Sequence, residues 1–327
     1  MSRIELSRRD VLRRCAAAAA VGMLCVGGGM SVPIVRGADE GGRKAGPPPS
    51  KIPDDCKISG FALGCQAWTF NQFSVFEAIE KTEQAGGKVI EFFPDQRLAP
   101  GPKDDPKAVK WNHNAPESVI QQVKEKLKEH HIRAVNYGVV VPAGDDAAKR
   151  QAEWRQIFQF AKGLGLVGVT SEPREEDMDT IESLVKEHDI RLCIHDHPKR
   201  PDDPKYKFWD PHYVLSLVKN RDSRMGSCAD TGHWVRSGIK PVDALKILEG
   251  RVMSSHLKDL NEFGPKAHDV PYGTGVSDIK GILDELRRQG FDGNISIEYE
   301  YKMDNNLPEV TKCIEYVKQY GGHSGGK

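Results

Sequence analysis

The feature that most constrains the fold of this chain is an alternation that begins near residue 60 and runs almost to the C-terminus. Short apolar, β-branched runs occur at 61–68, 88–93, 132–140, 165–171, 190–197, 224–230, 251–257 and 293–299. Between them lie amphipathic stretches such as SVFEAIEKTEQAG, PESVIQQVKEKLKEHH and MDTIESLVKEHD, in which apolar residues recur at spacings of three and four. Strands that alternate with helices pair in parallel through right-handed crossovers. Eight such units predict an α/β fold, a single-domain (β/α)8 barrel over residues 58–322. An open doubly wound sheet is the alternative arrangement of the same units. A barrel needs about 250 residues, so a length of 327 does not call for a second domain.

A barrel places its active site at the C-terminal ends of the strands, which makes the strand tips the informative positions. The fifth run ends in His195, Asp196 and His197, within RLCIHDHP. The sixth ends CADTGHW, with Asp230 and His233; the seventh ends SSHLKD, with His256, Lys258 and Asp259; the eighth ends SIEYE, with Glu298 and Glu300. Alternation with a period of two puts Cys193, His195 and His197 on one face of strand five and Asp196 on the other. The same rule aligns Cys228 with Asp230, Ser254 with His256 and Lys258, and Ser296 with Glu298 and Glu300. One inward set is therefore His195, Asp230, His256 and Glu298. Two imidazoles and two carboxylates suit one borderline divalent ion such as Mn, Co, Zn or Fe(II), and are poor for Ca, which takes oxygen alone.

With DTGH after strand six, HLKD after strand seven and ISIEYE on strand eight, the chain resembles the xylose isomerase-like TIM barrels over roughly residues 60–320. That group holds sugar epimerases, inosose-processing enzymes and endonuclease IV. The resemblance implies a single divalent metal held by one residue from each of strands five to eight, again His195, Asp230, His256 and Glu298. The chain departs from the pattern at strand five, where many relatives carry a glutamate and this sequence reads His195. In the epimerases that glutamate and the strand-eight glutamate are thought to move protons on opposite faces of the substrate. A symmetrical two-glutamate transfer is thus in doubt here.

Other tip residues have both a chemical and a bland reading. Glu298, His233 and Lys258 are the catalytic candidates. Lys258 would stabilise an enolate oxygen or, with a lowered pKa, act as base; its alternative is a salt bridge. His197, Trp68, Gln66 and Glu91 are candidate substrate contacts, with rim or core packing as the alternative. Glu172 in TSEP can reach the same mouth. The G-x-G in PYGTGVSD reads as a phosphate loop or, more simply, as a turn. The segment HPKRPDDPKYKFWDPHY is expected to cover the pocket.

The N-terminus follows different rules. LSRRDVLRR precedes an Ala- and Gly-rich apolar run from Cys15 to Val35, so residues 1–38 read as an export signal of twin-arginine type. This predicts a periplasmic protein, or a membrane-tethered one if the signal is retained, with no stable insertion once it is removed. Residues 39–57 read as a disordered linker and 323–327 as a flexible tail. Cys56, Cys65, Cys193, Cys228 and Cys313 show no CxxC spacing, so buried free thiols are expected. Acidic and basic residues number 47 each, which offers no field for nucleic acid. The expected partner is a small carbohydrate and the expected activity that of a metal-dependent isomerase or epimerase working through an enediolate. A lyase or hydratase removing a β-substituent from a 3-keto-glycoside is the rival, and an exported carbohydrate-binding barrel the non-catalytic alternative.

Overall fold

A computed structural model describes residues 48–102 and 105–322. The predicted signal, the first part of the predicted linker and the predicted tail lie outside the described residues. Compactness divides the chain into Met1–Arg43 and Lys44–Lys327; the second unit holds the barrel.

Eight parallel strands close on themselves: β1 (Phe61–Gln66), β2 (Val89–Phe92), β3 (Arg133–Tyr137), β4 (Gly168–Ser171), β5 (Arg191–His195), β6 (Met225–Asp230), β7 (Val252–Leu257) and β8 (Asn294–Ile297). Each pairs with its sequence neighbours, and β1 pairs with both β2 and β8, which completes the barrel. The eight predicted runs are all present, trimmed by one to four residues each. Their apolar, β-branched character follows from position, because helices cover the outer face and the interior is filled by side chains.

Among the described residues the helices are α1 (Val75–Gln84), α2 (Glu117–Glu129), α3 (Ala147–Leu164), α4 (Met178–His188), α5 (Pro211–Val218), α6 (Thr231–Arg236), α7 (Pro241–Ile247), α8 (Ile279–Arg288) and α9 (Leu307–Gly322). Their ends are written locally. Ser74 and Glu77 form a reciprocal capping box at α1, and Asp210 caps α5 ahead of a first-position proline. The expected one-helix-per-strand pattern gains an extra element, α6, placed directly after β6. Of the described residues, no helix is long and apolar enough to cross a membrane.

The interior changes character along the barrel axis. At the N-terminal end, Ala62, Val89, Val135 and Val167 form an apolar cluster closed by Ile52, itself 4% exposed. Ile52 belongs to the stretch expected to be a linker, which from Pro48 onward packs against the barrel. The Arg191 guanidinium donates to the Pro48 carbonyl at 2.7 Å, Asp54–Cys56 form a 3-10 turn, and Lys57–Ile58 pair antiparallel with β1. Its polar, proline-rich composition concealed one apolar anchor. Toward the C-terminal end the interior turns polar, with Asn136, Thr170, Glu91, Ser296 and His256 fully or almost fully buried. Irregularities in pairing occur at Ile90/Glu91 in β2 and Val252/Ser254 in β7, and such bulges re-aim the side chains beside them. Cys65, Cys193, Cys228 and Cys313 are buried free thiols, and Cys56 is half-buried.

Candidate functional site

The residues of DTGH and HLKD meet because β6 and β7 are in register, with Asp230 opposite His256. Asp230 splits its two oxygens between structure and site. Oδ1 accepts the His233 backbone N–H at 2.8 Å and caps α6. Oδ2 faces His195 Nε2 at 3.6 Å, His233 Nε2 at 3.6 Å, His256 Nδ1 at 3.9 Å and Lys258 Nζ at 3.1 Å. His256 Nδ1 is also 3.4 Å from Glu298 Oε2. Asp196, the residue after β5, accepts the Asp230 N–H at 2.9 Å and ties the two tips together.

Both nitrogens of His195 and of His256, and Asp230 Oδ2, are buried without a well-aligned hydrogen bond. Such atoms are costly unless something else engages them. A divalent ion with bonds near 2.1 Å sets its ligands about 3.0–3.5 Å apart, close to the separations of 3.4 to 3.9 Å found here. The donor set therefore fits a divalent ion. His195, Asp230, His233 and Glu298 also bring one ligand atom each within 4.8 Å of one another, which raises the question of His233 against His256.

Hydrogen bonding bears on that question. The Arg236 guanidinium lies 3.1 Å from His233 Nδ1, and arginine only donates. Nδ1 must accept, so the proton of a neutral His233 sits on Nε2 and that nitrogen has no lone pair to offer. His256 has the opposite bias. Its Nε2 lies 3.1 Å from Glu91 Oε2, off the line of a straight bond, and a carboxylate neighbour favours Nε2–H with a lone pair on Nδ1. Burial pushes the His233 imidazole well below its usual pKa, so it is neutral at pH 7.

Lys258 is 1% exposed, with Nζ 3.1 Å from Asp230, 2.6 Å from Glu298 and 2.8 Å from Glu300. Burial alone would lower its pKa, but these three carboxylates hold it well above the ordinary value. The direction is opposite to the one a lysine base requires. Glu298 is likewise resisted by burial yet held low by Lys258 and His256, so it is ionised. Each carboxylate oxygen carries two lone pairs, enough to serve an ion and the ammonium together.

A cavity of about 460 Å³ opens over this cluster. Its ionisable lining consists of Glu172, His195, His197, His233, Glu298 and Glu300; Gln66 and Trp68 line it as well. Glu91 does not line it. It is 0% exposed below the floor, where it accepts from Thr170 Oγ1 at 2.5 Å and Ser296 Oγ at 2.9 Å. The structure thus gives this predicted substrate contact a supporting place under His256. Of the long segment after β5, only His197 lines the cavity among the described residues; Tyr206 reaches back, its hydroxyl donating to Glu172 at 2.7 Å and accepting the His197 N–H at 2.7 Å. Glu172 faces His195 Nδ1 at 3.6 Å and bonds His197 Nδ1. The G-x-G loop is a turn organised from within: the N–H groups of Gly273, Gly275 and Ser277 all donate to the Asp259 carboxylate. A Cβ on Gly275 would stand 2.3 Å from Asp259 Oδ1.

Sequence reasoning missed Arg236, which bridges His233, Glu300 and Asp269, and the apolar residues Phe93, Pro94, Val139 and Val141 of the cavity. Arg236 sits three residues after His233, but α6 is too short to display a helical period.

Comparison with known proteins agrees with this architecture. The family described as Xylose isomerase-like TIM barrel matches residues 79–320. An inosose dehydratase of Clostridium tetani is 25% identical over 193 residues, covering 52% of this chain and 55% of that protein, so about half of each. A solved structure of a protein from Parabacteroides distasonis ATCC 8503 is 32% identical, with TM-score 0.61 over 79% of this chain and 98% of the other. The IolI protein, solved with a bound zinc atom, shares the fold at 17% identity and TM-score 0.58, covering 79% of this chain and 98% of its own. The chain belongs to the xylose isomerase-like TIM barrel family.

Proposed function

We propose that the chain is a divalent-metal-dependent isomerase or epimerase of a sugar or keto-sugar, with His195 Nε2, Asp230 Oδ2, His256 Nδ1 and Glu298 Oε2 as ligands. The observation that carries this reading is the convergence of buried, unpartnered imidazole nitrogens and a carboxylate oxygen at ligand spacing. The zinc reported in IolI supports it. The chemistry such an ion would supply is polarisation of a substrate carbonyl and its neighbouring hydroxyl, which would acidify the carbon-bound proton between them.

The remaining work falls to side chains. Glu298, ionised and at the cavity wall, receives the proton. Lys258 stays charged and offsets the carboxylates around it. The Nε2–H of neutral His233 donates to a substrate oxygen. Returning the proton to the other carbon, or to the other face of the same carbon, gives the isomer or the epimer.

A second reading is elimination, in which the proton leaves one carbon and a β-substituent departs with its bonding electrons. His197, paired with Glu172 on the cavity wall, would protonate the departing oxygen. Two points favour it: the resemblance implies a proton-transferring glutamate on strand five where this chain carries His195, and the Clostridium tetani relative is a dehydratase.

Elemental analysis of the purified protein beside His195→Ala and His256→Ala tests the centre. Near-stoichiometric Mn, Co or Zn that falls sharply in both variants is expected. Metal-free wild-type protein, or content indifferent to both changes, would leave a carbohydrate-binding barrel as the better account.

A further inference from the structure

The lining of the cavity divides by strand. Trp68, Phe93, Pro94, Val139 and Val141 follow β1 to β3, whereas the ionisable residues lie at or after β4, β5, β6 and β8. Trp68 is 40% exposed and Val141 43%; large apolar groups left open at the rim of a polar site mark a binding surface more often than packing. This apolar lining is braced from behind. Gln66, 0% exposed, accepts the Trp68 N–H at 3.1 Å and donates to the Gly138 carbonyl at 2.9 Å, so one buried amide holds both halves. The Val140 N–H donates to the Thr170 carbonyl at 3.0 Å, and Val140 is buried while Val139 and Val141 face the cavity. Gly138 admits nothing larger, since a Cβ would lie 2.0 Å from that same carbonyl oxygen. Trp68 rests edge-on against Phe93, ring centroids 5.0 Å apart.

A free sugar fits such a chamber poorly. One tryptophan can stack against a C–H face, but five apolar side chains leave hydroxyls that meet them without partners, and unpaired polar groups are penalised. Resting on the sugar-enzyme reading above, we propose that the substrate is a two-part molecule, a keto-glycoside whose sugar, with the ring carbonyl that reading requires, meets the ionisable residues and whose aglycone is apolar, of aryl type. The aglycone lies on Trp68, Phe93, Val139 and Val141.

Calorimetric titration of the metal-loaded full chain with phenyl and methyl β-glycosides of glucose, galactose and xylose tests this. For at least one sugar the phenyl compound is expected to bind about tenfold or more tightly than the methyl, from the apolar area of one ring. In Trp68→Ala that ratio falls toward one; Val141→Ser lowers the ratio several-fold and stands in if the first variant does not fold. Equal binding of both members of every pair, no binding of any, or equal loss for phenyl and methyl in the variants overturns the proposal. His195→Ala separates the two readings. A phenyl preference that survives in wild-type protein lacking a specific metal sinks the metal centre alone, whereas a metal centre without that preference sinks the aglycone alone.

Discussion

Glu91 is the most informative residue to change, because it is fully buried and its carboxylate lies 3.1 Å from His256 Nε2. Its carboxylate accepts from Thr170 at 2.5 Å, Ser296 at 2.9 Å and Asn294 at 3.4 Å, with His256 Nε2 at 3.1 Å. In Glu91→Met only Asn294 keeps an acceptor, since it already donates to Ser296 Oγ at 2.9 Å. Ser296 and Thr170 accept in their remaining bonds, from Asn294 and, at 3.3 Å, from Asn136, so both hydroxyls lose their acceptor together with His256 Nε2. Each buried donor left without an acceptor costs about 1–3 kcal/mol of stability. Losing the group that orients a ligating imidazole typically costs about 10–100-fold in metal affinity, or about 1.4–2.7 kcal/mol. Glu91→Gln keeps a carbonyl oxygen for His256 and is expected to stay within a few-fold of wild type. Chelator competition measures the affinities, and imidazole nitrogen shifts in labelled protein report the His256 tautomer. Folded Glu91→Met with affinity within twofold of wild type would refute the reasoning. A Glu91→Gln variant as weak as Glu91→Met would mean that charge, not the acceptor, is what His256 needs.

Other expectations reach further from the centre. Ile52→Ala should lower unfolding free energy by about 2 kcal/mol or more, measured by denaturant titration, because Ile52 closes the apolar end of the barrel; an unchanged midpoint would mean that residues 48–58 are not part of the folding unit. Burial outweighs Lys258 and Arg236 at Asp269 and raises its pKa to about 7. A carboxyl with a raised folded pKa favours folding at low pH, and that contribution is lost as pH rises from about 4 to about 7. Asp269→Asn should therefore gain on wild type between pH 5 and pH 8 in the same titration, and a constant difference would contradict the shift. Fractionation of cells expressing the full chain should place it outside the cytoplasm, and replacing Arg8 and Arg9 by lysine should retain it; equal export of both proteins would remove the twin-arginine reading.

The barrel was legible because parallel strands covered on both faces must be apolar throughout, and the eight runs say so directly. Parity alone picked out which residues point inward, as with His195. Depth was not legible. Glu91 obeys the same alternation as its neighbours, and only the hydroxyls of Thr170 and Ser296 show that it is held below the cavity. The apolar lining was hidden for a related reason: 132–140 read as one long strand, whereas β3 ends at Tyr137 and Val139 belongs to the site. An apolar residue that binds a ligand looks in sequence like one that fills a core. Tyr206 and Arg236 carry no pattern at all, since each acts through a single side chain brought in by a loop or a one-turn helix.

The Asp259 loop has a further bearing on substrate choice. Three backbone amides that would otherwise be free to grip an anion are already saturated by a carboxylate, and the cavity carries Glu172, Glu298 and Glu300 on its wall. A phosphorylated sugar would meet negative charge and find that loop's donors taken. On the function proposed above, that charge favours a neutral carbohydrate over a phosphorylated one, a substrate that needs no kinase before it arrives.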